Sequence, residues 1–165
     1  MMPRRPAKIW IAALALLAAC TCVMPQDRLA MSLAQYDRET DPVRKARVLA
    51  KIGNAEIDLA RQQLKAEQDV ASLQTLESYR DKVIHTVAAL KAAIPDAEKK
   101  PGGFKELQIG LRETIRRMDD LILSLPVDKR PFFREVRTDL FNAQNELIDA
   151  LFPRQAGENP KKTHP

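Results

Sequence analysis

The sequence predicts an all-α fold: an antiparallel helical bundle or two stacked helical hairpins, built from four long helices. Three observations carry this reading. Apolar residues recur at spacings of three, four and seven along most of the chain. Proline and glycine interrupt that pattern at Pro25, Asp41-Pro42, Pro95, Pro101-Gly102-Gly103, Pro126, Pro131 and Pro153. No alternating run of β-branched residues offers a strand. With both termini set aside, roughly 110 residues remain to be ordered, enough for one core and one domain.

The first segment, MMPRRPAKIWIAALALLAACTC, stands apart from the rest. Arg4, Arg5 and Lys8 make a positive start, Ile9 to Ala19 is unbroken apolar sequence, and Cys20 follows small residues. A membrane span needs about 20 apolar residues, and the run from Ile9 to Met24 is too short and stops at Pro25. The segment resembles a bacterial lipoprotein signal, because Leu17-Ala18-Ala19-Cys20 matches the lipobox cleaved just before the cysteine. The resemblance implies that residues 1–19 are a signal peptide, that Cys20 is the lipidation site, and that the protein meets the membrane through an N-terminal lipid. More than one acyl chain makes such an anchor stable, since each buried methylene contributes only about 0.8 kcal/mol. Thr21 stands where an Asp would imply inner-membrane retention, so the resemblance points to the outer membrane where one exists. Ala18 and Ala19 also suit the general signal peptidase, which leaves a soluble periplasmic or secreted chain as the alternative.

Residues 20–40 read as a membrane-proximal linker with room for a short helix over Asp27 to Tyr36. The helical domain spans residues 41–153. Asp41 is a suitable N-cap and Pro42 a suitable first helical residue, its missing N–H costing nothing there. The first long helix runs from about Pro42 to Ala66, with Leu49, Ile52, Ala55 or Glu56, Leu59 and Ala60 on its inner side. A turn near Glu67 separates it from the second, since one helix of about 50 residues would be long for a globular domain. The second, about Asp69 to Ile94, carries the stripe Val70, Leu73, Leu76, Val83, Val87, Leu90 and Ile94. The third, about Phe104 to Leu125, places Phe104, Leu107, Leu111, Ile115, Met118, Leu121, Ile122 and Leu125 inward and stops at Pro126. The fourth begins after Asp128 and runs through Phe133, Val136, Leu140, Leu147 and Leu151 to Pro153. Short connections predict antiparallel neighbours. Residues 154–165 read as a disordered basic tail.

Within this pattern Ala46 to Tyr79 resembles a degenerate tetratricopeptide-type hairpin. Leu49, Ile52 and Gly53 are similar to the Leu-Gly pair of that unit's first helix, and Gln68-Asp69-Val70-Ala71 to the turn and small residue opening its second. Gly53 and Ala71 are further apart than the 34-residue unit places their equivalents, and its Trp and Tyr positions are unfilled. The resemblance implies a surface for contacts with other proteins.

The net charge of +5 invites a nucleic-acid reading that its distribution removes. Of the 27 Lys and Arg, three lie in the signal and three in the tail (Arg154, Lys161 and Lys162); of the 22 Asp and Glu only Glu158 lies in the tail, leaving 21 of each sign between Cys20 and Pro153. Interspersed, balanced charge is a solvated helical surface, not a phosphate-binding stripe. Both cysteines, Cys20 and Cys22, sit at the start of the mature chain, so the body has neither an internal disulfide nor a thiolate metal site.

No residue set announces catalysis, a metal or a cofactor. A di-iron bundle needs paired Glu-x-x-His motifs, whereas the body holds one histidine, His85, with Glu77 and Asp81 at helical spacing before it. Beside an apolar stripe, His85 reads as a partly buried boundary residue. Asp119 and Asp120 stand near Arg116 and Arg117, where pairing at i, i+3 or i, i+4 accounts for them. The phenylalanines say more: Phe104, Phe132, Phe133, Phe141 and Phe152 all lie in the last two helices. Phe133, Val136, Leu140 and Leu147 form one stripe of the fourth helix; Phe141, Ile148 and Phe152 form another about 100° away. The second stripe either packs on another helix of the bundle or is an exposed patch that binds a protein partner. The expected function is therefore a lipid-anchored, non-enzymatic interaction or scaffold module of the bacterial envelope, with no nucleic acid and no cofactor. The alternative is a ligand-binding or sensory bundle holding a small apolar molecule between its helices.

Overall fold

Five helices make up the computed structural model, which describes residues 25–153: α1 (Pro25–Arg38), α2 (Pro42–Lys65), α3 (Asp69–Ala93), α4 (Phe104–Ser124) and α5 (Arg130–Leu151). The expected signal peptide over residues 1–19, Cys20, Cys22 and the tail over residues 154–165 lie outside the described residues. Among the described residues there is no strand, and no helix is long and apolar enough to cross a membrane. The region over Asp27 to Tyr36 is helical as part of α1, which packs on α2 with Leu29 and Tyr36 buried in the common core.

Each helix starts and stops for a local reason. The Asp41 carboxylate accepts the Val43 N–H at 2.9 Å and Pro42 opens α2. Glu39 accepts the N–H groups of Thr40 and Asp41, closing the turn from α1. At the other end of α2 the Gln68 N–H reaches Gln63 O at 2.9 Å and the Glu67 N–H reaches Leu64 O at 3.1 Å. This is a Schellman ending with Glu67 at the left-handed position, φ 59°, where glycine is the usual residue. Gly103 takes φ 85° just before α4, and Glu106 accepts its N–H at 2.8 Å. The Arg130 guanidinium caps the C-terminus of α4, donating to Leu125 O at 2.9 Å and Leu123 O at 3.1 Å.

Two antiparallel hairpins, α2–α3 and α4–α5, stack in the same sense. Along the seam of α2 with α4, Arg47 pairs with Glu106 at 2.9 Å, and Arg117 donates to Asn54 O at 3.1 Å. Both members of each pair advance together, so the two helices run parallel. The same holds for α3 and α5, where Arg80 meets Asp139 at 3.5 Å and Lys91 meets Glu146 at 2.8 Å. Helices adjacent in sequence are antiparallel as expected; the seams between hairpins are parallel, which chain connectivity alone does not specify. The two descriptions expected meet in one architecture: a helical bundle in which two antiparallel hairpins are stacked.

The core runs through Leu49, Ile52, Ile57, Leu76, Val83, Leu90, Phe104, Leu111, Met118, Leu140 and Leu147. Of the alternatives on the inner side of α2, Glu56 is buried and Ala55 is half-buried. Val70, expected in the inner stripe of α3, is exposed, because it lies in the first turn of that helix, at the end of the bundle. Two charges of this group pair across helices and not locally: Arg117 crosses to Asp58 on α2 and Asp119 to Arg137 on α5, while Arg116 keeps a local i, i+3 partner in Glu113. The faces of Arg117 and Asp119 look toward neighbouring helices, so cross-helix partners displace the local ones.

Candidate functional site

The second stripe of α5 is the candidate. Phe133, Val136, Leu140, Ala143, Leu147 and Leu151 fill the inner face of that helix and are buried. A quarter-turn away, Phe141 is 41% exposed and Phe152 54% exposed, with Ile148 half-buried between them. Of the two expectations for this stripe, packing within the bundle is therefore not met at either phenylalanine. The strip lies along the seam with α4. Arg137 spans that seam, donating to both Asp119 carboxylate oxygens at 3.0 and 3.2 Å while its guanidinium carbon stands 5.2 Å from the centre of the Phe141 ring. The bidentate pair fixes the guanidinium, and the guanidinium supports one side of the ring through a cation–π contact. A large apolar side chain is thereby held on a rigid helix with a solvent-facing side, an arrangement suited to burial under a partner.

A second feature is a groove of about 580 Å³ beside α1, lined by Tyr36, Lys45, Glu77, Asp81, Lys82 and His85 among others. Glu77, Asp81 and His85 share one face of α3, as their spacing requires. His85 is exposed, a correction to the expected boundary position: Val83 and Val87 take the buried face and leave His85 on the polar one. Among the described residues no group of three or more His, Cys, Asp or Glu could hold a metal ion. The groove serves the docking of α1. The Tyr36 hydroxyl meets Thr86 Oγ1 at 2.9 Å and donates to Lys82 O at 3.2 Å, and Lys45 Nζ sits 4.5 Å from the ring centre. Burial raises the Tyr36 pKa, with the Thr86 hydrogen bond opposing it.

A third feature is a polar cluster inside the body. Glu56 is 4% exposed, and burial pushes its carboxyl up to about 7, with the charge of Lys82 pulling the other way. Tyr79 of α3 is fully buried, and that burial raises its phenol, with the charge of Glu56 reinforcing the shift. Thr114 Oγ1 donates to Gly110 O at 3.0 Å, while the buried Tyr79 hydroxyl, Ser72 Oγ and Asn54 Oδ1 have no hydrogen-bond partner among the described residues. Unpaired buried polar atoms cost stability. Gly53 makes the cluster fit, since a Cβ there would stand 2.5 Å from the Tyr79 hydroxyl and 2.3 Å from Thr114 Oγ1. The sequence offers Glu56 only as one of two inner residues of α2, and nothing in its spacing marks Tyr79 or Thr114 as its companions.

No protein-family model, no curated protein and no solved structure matches this chain.

Proposed function

We propose that the protein is a lipid-anchored helical interaction module of the bacterial envelope, tethered through Cys20 and engaging a protein partner through Phe141, Ile148 and Phe152. The observation that carries the partner half of this reading is the exposure of Phe141 and Phe152 on a helix whose other apolar face is buried. The anchoring half rests on the resemblance of Leu17-Ala18-Ala19-Cys20 to a lipobox. The balanced charge of the body is compatible with a role by contact. Tetratricopeptide-like recognition through Ala46 to Tyr79 would be a further contact surface of the same kind.

Cross-linking the tethered protein in its own envelope, followed by mass spectrometry, tests this reading. The expected result is a partner whose cross-links map to α5 and are lost in a Phe141→Ser, Phe152→Ser double variant that is still folded. A partner captured equally by that variant would place the interaction elsewhere. Capture unchanged by Cys20→Ser would remove the tether from the function.

A further inference from the structure

Both hairpin turns lie at one end of the molecule: the α2–α3 turn at Glu67 and the α4–α5 turn at Pro126 to Lys129. A salt bridge between Lys129 and Asp69 joins them. The three most exposed large apolar side chains among the described residues are all at this end, Val127 at 75%, Val70 at 71% and Leu123 at 69%. Phe132, in the first turn of α5, is exposed beside them. Charge at this end is nearly balanced, with Lys65, Lys129, Arg130 and Arg134 against Glu67, Asp69 and Asp128.

The chain enters near the same end. Ser32 of α1 shares a groove with Val48 and Lys51 of α2, so α1 runs antiparallel to α2. Its first residue then lies about 10–15 Å short of the end of α2. Five peptide units connect Cys20 to Pro25, and fully extended they span at most about 18 Å. The opposite end of the bundle lies a full length of α1, about 21 Å, from Pro25. A Cys20 whose acyl chains are in a bilayer can therefore bring the hairpin-turn end to the surface, whereas the opposite end lies beyond its reach.

We infer that this end is a membrane-docking face, with Val70, Leu123, Val127 and Phe132 entering the interfacial region of a zwitterionic phospholipid bilayer. The inference rests on acylation of Cys20 as proposed above. A short tether raises the effective concentration of the apolar tip at the bilayer, so side chains too few to bind from solution suffice once attached. Near-balanced charge makes the contact apolar in origin and weakly dependent on salt. Docking by this end stands the helices off the membrane and directs Phe152, at the C-terminal end of α5, away from it.

Tryptophan fluorescence tests this directly, because Trp10 in the signal is the only tryptophan in the chain. The full chain, processed in a bacterial host and reconstituted in phosphatidylcholine vesicles with brominated acyl chains, is compared as Phe132→Trp, Val127→Trp, Met31→Trp and Phe152→Trp. An interfacial depth of about 5–10 Å puts the introduced indole within reach of the bromines, so Phe132→Trp and Val127→Trp should each lose roughly half their emission at low and high salt. Phe152→Trp should be unquenched. Strong quenching of Met31→Trp with none at the tip would mean that the body lies on its α1 side, and overturns the inference. Quenching abolished by salt would replace apolar docking with electrostatic attraction, and overturns it as well. The mass of the N-terminal peptide separates the two readings: an acylated Cys20 with unquenched tip variants overturns the docking alone, and an unacylated Cys20 overturns both.

Discussion

Gly110 of α4 rests against the backbone of Ala50 of α2, so closely that a Cβ on Gly110 would stand 2.7 Å from Ala50 O and 2.9 Å from Ala50 Cα. The contact is with main chain, which cannot rotate away. It sets how near the two hairpins approach. Alanine is the better helix former by about 1 kcal/mol, so an exposed site would gain from Gly110→Ala. Here overpacking of about 1–3 kcal/mol should outweigh that gain. Urea unfolding should show a net loss of stability, and a stabilised variant would mean the hairpins are not closely stacked.

Glu56 makes stability depend on pH in an unusual direction for a carboxylate. Burial raises its pKa from 4.5 to about 7, so the folded state holds its proton more tightly than the unfolded chain. That contribution is complete below the unfolded pKa and is lost as pH rises toward about 7, where the carboxyl must ionise inside the fold. Glu56→Gln should therefore stabilise the protein at about pH 8 by roughly 1–3 kcal/mol and have little effect near pH 4. Denaturation curves of both forms at the two pH values check this. Destabilisation at about pH 8 that fades near pH 4 would show instead that the carboxylate is held ionised by an ion pair.

Glu67 occupies a left-handed position with φ 59°. A residue with a Cβ loses about 1–2 kcal/mol in this region, and glycine loses less there but more in unfolded-state entropy. Glu67→Gly should raise stability by roughly 0.5–1 kcal/mol, read as a higher urea midpoint with an unchanged slope. A lower midpoint would place the turn elsewhere.

Two phenylalanines eight residues apart should behave differently. Phe133 is buried and Phe141 is 41% exposed. Phe133→Ala should cost about 3–5 kcal/mol, as for other core aromatics. Phe141→Ala should cost about 1 kcal/mol or less, chiefly through the Arg137 contact, while weakening partner capture. A loss of several kcal/mol at Phe141 would make it a core residue and remove it from any interface.

Helix limits were legible in the sequence because proline, glycine and Asp41 act locally. The turn at Glu67 was legible by length alone, through a residue that is a poor fit to its conformation. Periodicity identified the inner faces of α4 and α5 well, yet it places residues on a face without saying how far the neighbouring helix extends. Val70 is exposed for that reason, at the end of α3, whereas His85 is exposed because the buried face of α3 passes through Val83 and Val87. The parallel seams were not legible, since they arise from close approaches such as Gly110 on Ala50 that join residues distant in the chain. Asp119 pairs across to α5 for the same reason. The second stripe of α5 was visible as a stripe, but its exposure depends on α4 leaving Phe141 and Phe152 uncovered. Glu56 was hidden because a carboxylate at an inner position looks like an error of phase until Lys82, Tyr79 and Thr114 are seen around it.

Tethering of the helical body through Cys20 is tested most directly by the intact mass of the N-terminal peptide from the membrane fraction, with metabolic acyl labelling in parallel. The account predicts a mature chain that begins at Cys20 and carries more than one acyl chain, with labelling abolished in Cys20→Ser. A mature N-terminus at another residue without lipid, or labelling that persists in Cys20→Ser, would contradict it.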